Sequence, residues 1–327
     1  MISNPEIARF VERYGIVVVA ILMMIGLTIL KPEVFPSVAN LTNIIKQNAS
    51  AALLALGMFV VIVTAGIDLS VGSVMALAMV SLAVANRAGL PWEVVLLIGP
   101  LVGIACGYVN GAGLAWLRLP HPFIMTLGML NVARGLTNLV SGGAPISGLK
   151  PEVRYLGQKN FDLGIFPPPA GIPASFFVVL VCAVGLWFFM NRTSTGRHIY
   201  AIGGNPQAAR VSGIDVDRVL ILVYVICGFF AGLAGLMLAG RTDSGFPNAG
   251  IGAELDAIAA VIIGGASFFG GRGTVLGVLA GVLIIGLLRN GLNLLNVSVF
   301  WQQILIGLVI VAAVYMDVLR RRAAVRS

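Results

Sequence analysis

Of the 327 residues, 58% are hydrophobic and 10% charged, and the mean hydropathy is +0.99. Soluble domains have roughly a quarter of their residues charged, so a water-soluble fold is excluded and the chain reads as an all-α membrane protein. The net charge of +8, from 21 basic and 13 acidic residues, comes without the basic, aromatic-studded stripe that nucleic acid would require. A basic excess at the ends of membrane spans accounts for it.

Apolar runs bounded by charges, Pro or Asn predict a polytopic bundle of about ten spans, at about 20 residues each. They lie near 15–31, 48–66, 70–86, 92–117, 121–140, 173–191, 218–240, 253–270, 274–290 and 299–319. One transmembrane domain, 1–327, takes up the whole chain. Arg9 and Arg13 precede the first run, which reads as an uncleaved span. The cleavage-like Ser37-Val38-Ala39 falls well beyond it and follows Pro36.

Ten spans place both termini on one side. That side collects Arg9, Arg13, Arg118, Arg192, Arg197, Arg210, Arg218, Arg272, Arg320, Arg321, Arg322 and Arg326, twelve in all, against eight on the other. The richer side is expected to be the cytoplasm.

In chain order, the first pathway candidate inside a span is Asn48. Next, Gly66-Ile67-Asp68-Leu69-Ser70-Val71-Gly72-Ser73 separates spans two and three, where Asp68 and Ser70 can cap a helix start. A buried acid there also suits a gate or proton site. Span four repeats glycine every fourth residue at Gly99, Gly103, Gly107 and Gly111. Span five contains Thr126, Asn131, Arg134 and Asn138, of which Arg134 is the costliest to bury and needs a partner or water. The stretch from Ser141 to Ile172 is external, and Pro145, Pro151, Pro167, Pro168 and Pro169 suit a rigid cap.

The cytoplasmic loop 191–218 is rich in small and apolar residues between Thr195 and Ile214. Asn205 followed by Pro206 starts a short helix, with Asn as cap and Pro at its first position, and Ser212-Gly213 ends it. A solvated connector does not need such a surface, so a partner is inferred. A folded connector lying on the bilayer is the other reading.

Glu254-Leu255-Asp256 opens span eight as Asp68 opens span three, and Gly264-Gly265 and Gly270-Gly271-Arg272-Gly273 close it, which suggests a short or broken helix. Gly273, Gly277 and Gly281 in span nine repeat the spacing of span four in the opposite direction. The two halves thus read as a weak inverted repeat, though small-xxx-small packing explains each ladder alone. Asn290, Asn293, Gln302 and Gln303 complete the polar set. These span residues are candidates for contact with a hydroxylated solute, or else interhelical hydrogen bonds.

Much is missing. None of the four lysines follows a glycine, so there is no phosphate loop to bind ATP. His121 and His198 are the only histidines, and Cys106, Cys182 and Cys227 each lie alone in apolar runs, so no cofactor, metal centre or catalytic triad is expected. A transport role remains.

Three segments give a resemblance. They are Gly66 to Ser73; Gly196-Arg197 through Gly204-Asn205 with Ala208-Ala209 and Ser212-Gly213-Ile214; and Glu254-Leu255-Asp256 through Gly264-Gly265. In that order they resemble the permease subunits of ribose-type sugar ABC importers. The resemblance implies a bacterial inner-membrane homodimer that engages two ATPase subunits, or a fused pair, and a periplasmic solute-binding protein. It maps a coupling helix onto Asn205 to Ser212, with Gly196, Arg197, Tyr200, Gly204, Ala208, Ala209 and Gly213 as coupling residues beside Asn205 and Ser212. The pathway or gate candidates are Asn48, Asp68, Ser70, Thr126, Asn131, Arg134, Glu254, Asp256 and Asn290. The rival expectation is an ion-coupled secondary carrier that uses Asp68, Glu254 or Asp256.

Overall fold

The computed structural model describes residues 5–326 apart from 118, 120, 163 and 165–170. Arg118, Pro167, Pro168 and Pro169 therefore lie outside the described residues, as do the side chains of Arg9, Arg13, Arg320, Arg321, Arg322 and Arg326. The chain begins with α1 (Pro5–Leu30), α2 (Val38–Val63), α3 (Val71–Arg87), α4 (Trp92–Leu117) and α5 (Pro122–Ser141). An end lobe follows, with β1 (Ile146–Ser147), α6 (Pro151–Gln158), β2 (Asn160–Phe161) and β3 (Ile172–Pro173). Then come α7 (Ala174–Arg192), α8 (Ser194–Gly204), α9 (Pro206–Val211), α10 (Val216–Thr242), β4 (Ser244–Gly245), α11 (Ala253–Ile263), α12 (Val275–Leu294) and α13 (Val299–Arg326). β1 pairs antiparallel with β4, and β2 with β3.

Among the described residues seven helices are long and apolar enough to cross a membrane: α2, α4, α5, α7, α10, α12 and the Val299–Leu319 part of α13. Gly15–Leu30 and α3 are shorter apolar helices. In the span expected at 253–270 the short helix that its glycines suggested is what forms: α11 stops at Ile263, and its 11 residues, about 16 Å where the hydrocarbon core needs about 30 Å, do not cross by themselves. Gly264 and the left-handed Gly265, φ +87°, end it. The span expected from 48 begins earlier, because the Ser37 hydroxyl caps α2 by accepting from Asn40 N at 3.2 Å.

The core forms around α2 and α10. Residues Ala52 to Val63 of α2 are buried without a break, and α10 packs against α2, α3 and α4. The α4 glycines face α10. A Cβ at Gly103 would overlap Gly228 O, one at Gly107 would overlap Tyr224 O, and one at Gly99 would come within 2.9 Å of Gly232 O. The second ladder does the same on α11, with Gly277 against Gly264 O and Gly281 against Ala260 O. Backbones approach this closely only where side chains are absent.

The bundle has two distinct ends, joined by α7. At one, the lobe is tied to the helices by Asn86 Nδ2 donating to Gly148 O, Lys46 Nζ to Gln158 O and Leu149 N to the Asp243 carboxylate. At the other lie α8 and α9, and Gly271 N donates to Val63 O at 2.8 Å.

Two connections turn back into the protein. Residues 64–70, after α2, are held by Thr126 Oγ1 and Tyr224 Oη, which donate to Ile67 O. Residues 243–252, after α10, fold over α3, with Gly245 against Met79 O and Val80. The backbones meet where a Gly72 Cβ would overlap Gly250 O. From there α3 runs toward the lobe and α11 toward α8 and α9. Irregular backbone at membrane depth survives because protein groups satisfy it.

Candidate functional site

Two regions carry the polar chemistry: the surface of α8 and α9, and the interior around the two returning connections.

Thr193 caps α8 by accepting from Gly196 N at 3.0 Å, and Asn205 caps α9 by accepting from Gln207 N and Ala208 N, both at 3.0 Å. The short helix and its cap match the expectation, and Gly213, at φ +85°, follows the Ser212 cap. Sequence reading missed α8 as a helix: Gly196, Ile199, Ile202 and Gly203 fall at helical spacing on its buried side, but three glycines in eleven residues lower its helix propensity and mask the pattern. Of the expected coupling residues, Arg197, Gly204, Asn205, Ala208, Ser212 and Gly213 are exposed. Gly196 and Ala209 are buried and Tyr200 is half-buried, so these hold the element in place. Val211, at 91% exposure, is an uncovered apolar residue at the end of α9.

Asp68 and Ser70 are 2% and 0% exposed. The expected capping by Asp68 is corrected. Asp68 Oδ1 accepts from Ser70 N at 2.9 Å and Ser70 Oγ at 2.6 Å, which pins the N-cap residue of α3 rather than its first turn. Asn110 Nδ2 of α4 then donates to Ser70 Oγ at 3.0 Å. Asp68, Ser70 and Asn110 therefore form one network at the end of the 64–70 turn, and Thr126 holds the same turn separately through Ile67 O.

Arg134 plays the matching part at the other connection. Its Nη1 donates to Pro247 O at 2.5 Å and Ala249 O at 2.8 Å, so it has the partners that its burial required. Glu254 and Asp256 lie in the first turn of α11, where acids at a helix start were expected, while the N-cap itself is Gly252 at φ +79°. Left-handed glycine fixes the start there. Asp256 is held bidentate by Arg289 Nη2, at 2.8 and 2.6 Å. Arg289, which the sequence did not single out, lines a small cavity with Asn48 and Asp256. Asn290 exchanges amide hydrogen bonds with Asn40, at 2.8 and 3.2 Å. The residues 33 and 250 positions apart that make these pairs leave no local signal.

The outer face of α5 differs from the rest. Thr126, Met129, Ala133 and Thr137 are its buried stripe, while Gly128, Asn131, Gly135 and Asn138 lie exposed at helical spacing on the other side. Asn131 and Asn138 each donate to the carbonyl four residues back. Lipid gives such a face nothing to bond.

An exposed small-residue helix at one end and a polar, glycine-lined helix face are features of a transport subunit that works with partners. The family described as "Branched-chain amino acid transport system / permease component" matches residues 40–314, and the chain belongs to it. The chain is 40% identical over 313 residues to the D-allose transport system permease protein of Escherichia coli K12, which covers 95% of this chain and 93% of that protein. It is 41% identical over 303 residues to the ribose import permease protein of Bacillus subtilis 168, which covers 93% and 91%. It is 37% identical over 334 residues to the galactose/methyl galactoside import permease protein of E. coli K12, which covers 98% of each. No solved structure matches it. Within the family, the chain is a ribose-type sugar ABC importer permease. It is a transport subunit and not itself an enzyme; ATP is hydrolysed by separate subunits.

Proposed function

We propose that this chain forms the transmembrane pore of an ATP-driven importer for a sugar or sugar-like polar solute, coupled to its ATPase subunits through α8 and α9. The observation that carries the coupling is the exposed run Gly204, Asn205, Ala208, Val211 and Ser212 on a capped helix, a surface suited to a protein partner. The names of the relatives supply the solute class.

On this reading the α8–α9 end is cytoplasmic, as is the end bearing both termini, and the lobe faces a periplasmic solute-binding protein. The protein resides in the bacterial inner membrane as a homodimer. The chain makes ten passages if α3 and α11 count as half-helices that approach from opposite ends. An inverted repeat of α2–α5 and α10–α13 is supported by partner exchange: α4 packs on α10 as α12 packs on α2, and α3 on α10 as α11 on α2.

The solute path runs along the outer face of α5, with Asn131 as its polar contact, and is completed by a second copy. Asp68, Ser70, Thr126 and Arg134 frame it by holding the returning turns, while Asn48, Glu254, Asp256 and Asn290 brace the second half. The test is Gly204→Trp and Ala208→Trp. A Cβ at Gly204 meets nothing within 4 Å, so the chain should insert normally while solute uptake and solute-stimulated ATP hydrolysis fall together. Unchanged coupling would remove α8 and α9 from the mechanism.

A further inference from the structure

We infer that the glycine-rich segment 264–274 is the relay that carries movement of α8 and α9 into the membrane helices, an assignment that rests on the coupling role proposed above.

Three separate attachments meet in these eleven positions. The first is to α8. Tyr200 Oη donates to Gly273 O at 3.0 Å, and burial pushes the Tyr200 phenol above its ordinary pKa, so the hydroxyl stays protonated and keeps donating. The second is to α2. Gly271 N donates to the last α2 carbonyl, Val63 O, at 2.8 Å. Gly203 of α8 lies against the same two groups, with a Cβ overlapping Val63 O and reaching within 2.5 Å of Gly271 N. The third is to α13. Asp317 Oδ2 accepts from Phe268 N at 3.0 Å and from Ser267 Oγ at 3.2 Å.

Backbone touches backbone at this joint. Side chains can change rotamer and absorb a displacement, whereas close-packed backbone cannot yield without moving its whole element. Gly265, Gly270, Gly271 and Gly273 all have positive φ, conformations that other residues reach only at a cost, so the segment has a fixed shape. It also touches the 64–70 turn: a Gly270 Cβ would sit 2.9 Å from Ala65 N, and Ala65 itself is left-handed at φ +59°. That turn continues into the Asp68–Ser70–Asn110 network. A push on α8 therefore has a short, stiff route to α2, to the start of α3 and to α13. Tyr200 and Asp317 are positioning residues on it.

The experiment uses the purified importer in lipid, with its ATPase subunits and binding protein. Tyr200→Phe deletes one hydroxyl, Asp317→Ala deletes the α13 attachment, and Asp317→Asn retains an acceptor oxygen. Tyr200→Phe and Asp317→Ala should each lower solute uptake per ATP hydrolysed by roughly fivefold, the change that one hydrogen bond worth about 1 kcal/mol converts to. Both should still co-purify with the ATPase at wild-type stoichiometry, and Asp317→Asn should restore coupling. Wild-type uptake per ATP in both deletions, or equal loss in Asp317→Asn and Asp317→Ala, overturns the relay. Failure of the coupling role itself looks different: Ala208→Trp would leave both ATPase association and uptake intact.

Discussion

A methyl group added to Gly103 has nowhere to go. It would overlap Gly228 O and sit 2.8 Å from Gly232 N, and Gly228 in turn lies against Gly103 O. Two opposed effects follow from Gly103→Ala. Replacing helical glycine gains up to about 1 kcal/mol of helix propensity, and overpacking costs about 1–3 kcal/mol. The larger Gly103→Leu keeps the propensity gain but forces α4 and α10 apart, and a gap of even 1 Å forfeits a quarter to a half of each contact's attraction. Overpacking therefore wins, by more than about 2 kcal/mol for leucine. The contrast is Gly128→Ala on the outer face of α5, where a Cβ meets nothing within 4 Å and the change should be neutral or slightly stabilising. The assay is the fraction of detergent-purified protein that stays monodisperse after stepwise heating. Gly103→Leu and Gly107→Leu should fail at clearly lower temperature than wild type, and Gly99→Ala should fall between them and Gly128→Ala. A Gly103→Leu protein as heat-resistant as Gly128→Ala would refute the packing argument.

Three other outcomes are expected. Asn205→Ala removes the acceptor for two backbone N–H groups and should cost α9 about 1 kcal/mol, read as weaker ATPase binding by the intact permease, while Asn205→Asp should bind as wild type. Arg289→Gln leaves Asp256, a side chain only 20% exposed, without its cation; thermal stability should drop, and Asp256→Asn added to Arg289→Gln should recover part of the loss, a non-additivity that a double-mutant cycle measures. Arg134→Met strips Pro247 O and Ala249 O of their donor at about 1–3 kcal/mol, and should raise proteolysis within 243–252 relative to the rest of the chain.

The apolar runs were legible because the bilayer demands about 20 apolar residues per crossing, and α4, α5, α7, α10, α12 and α13 fall close to where those runs predict. The α9 helix was legible for a local reason, since Asn205 and Pro206 specify a helix start by themselves. The lengths of α1 and α2 were not. Asn40 and Asn43 fall before the start expected near 48, yet the Ser37 cap begins the helix ahead of them, and Asn40 and Asn290 satisfy one another across 250 positions. The candidate site divides the same way. Arg134 announced its need for partners by its charge, but only the fold could supply Pro247 O and Ala249 O, and Asp256 reads as a helix cap until Arg289 is brought beside it.

What the sequence alone determined is the solvent the chain lives in, its all-helical class and the segments that mark its family, because each depends on composition or on residues within one turn of one another. Tertiary structure alone decided that the two glycine ladders face α10 and α11, and that the two returning turns meet between Gly72 and Gly250. Those facts depend on which backbones approach across the bundle, and glycine, having no side chain, permits such an approach without naming its partner.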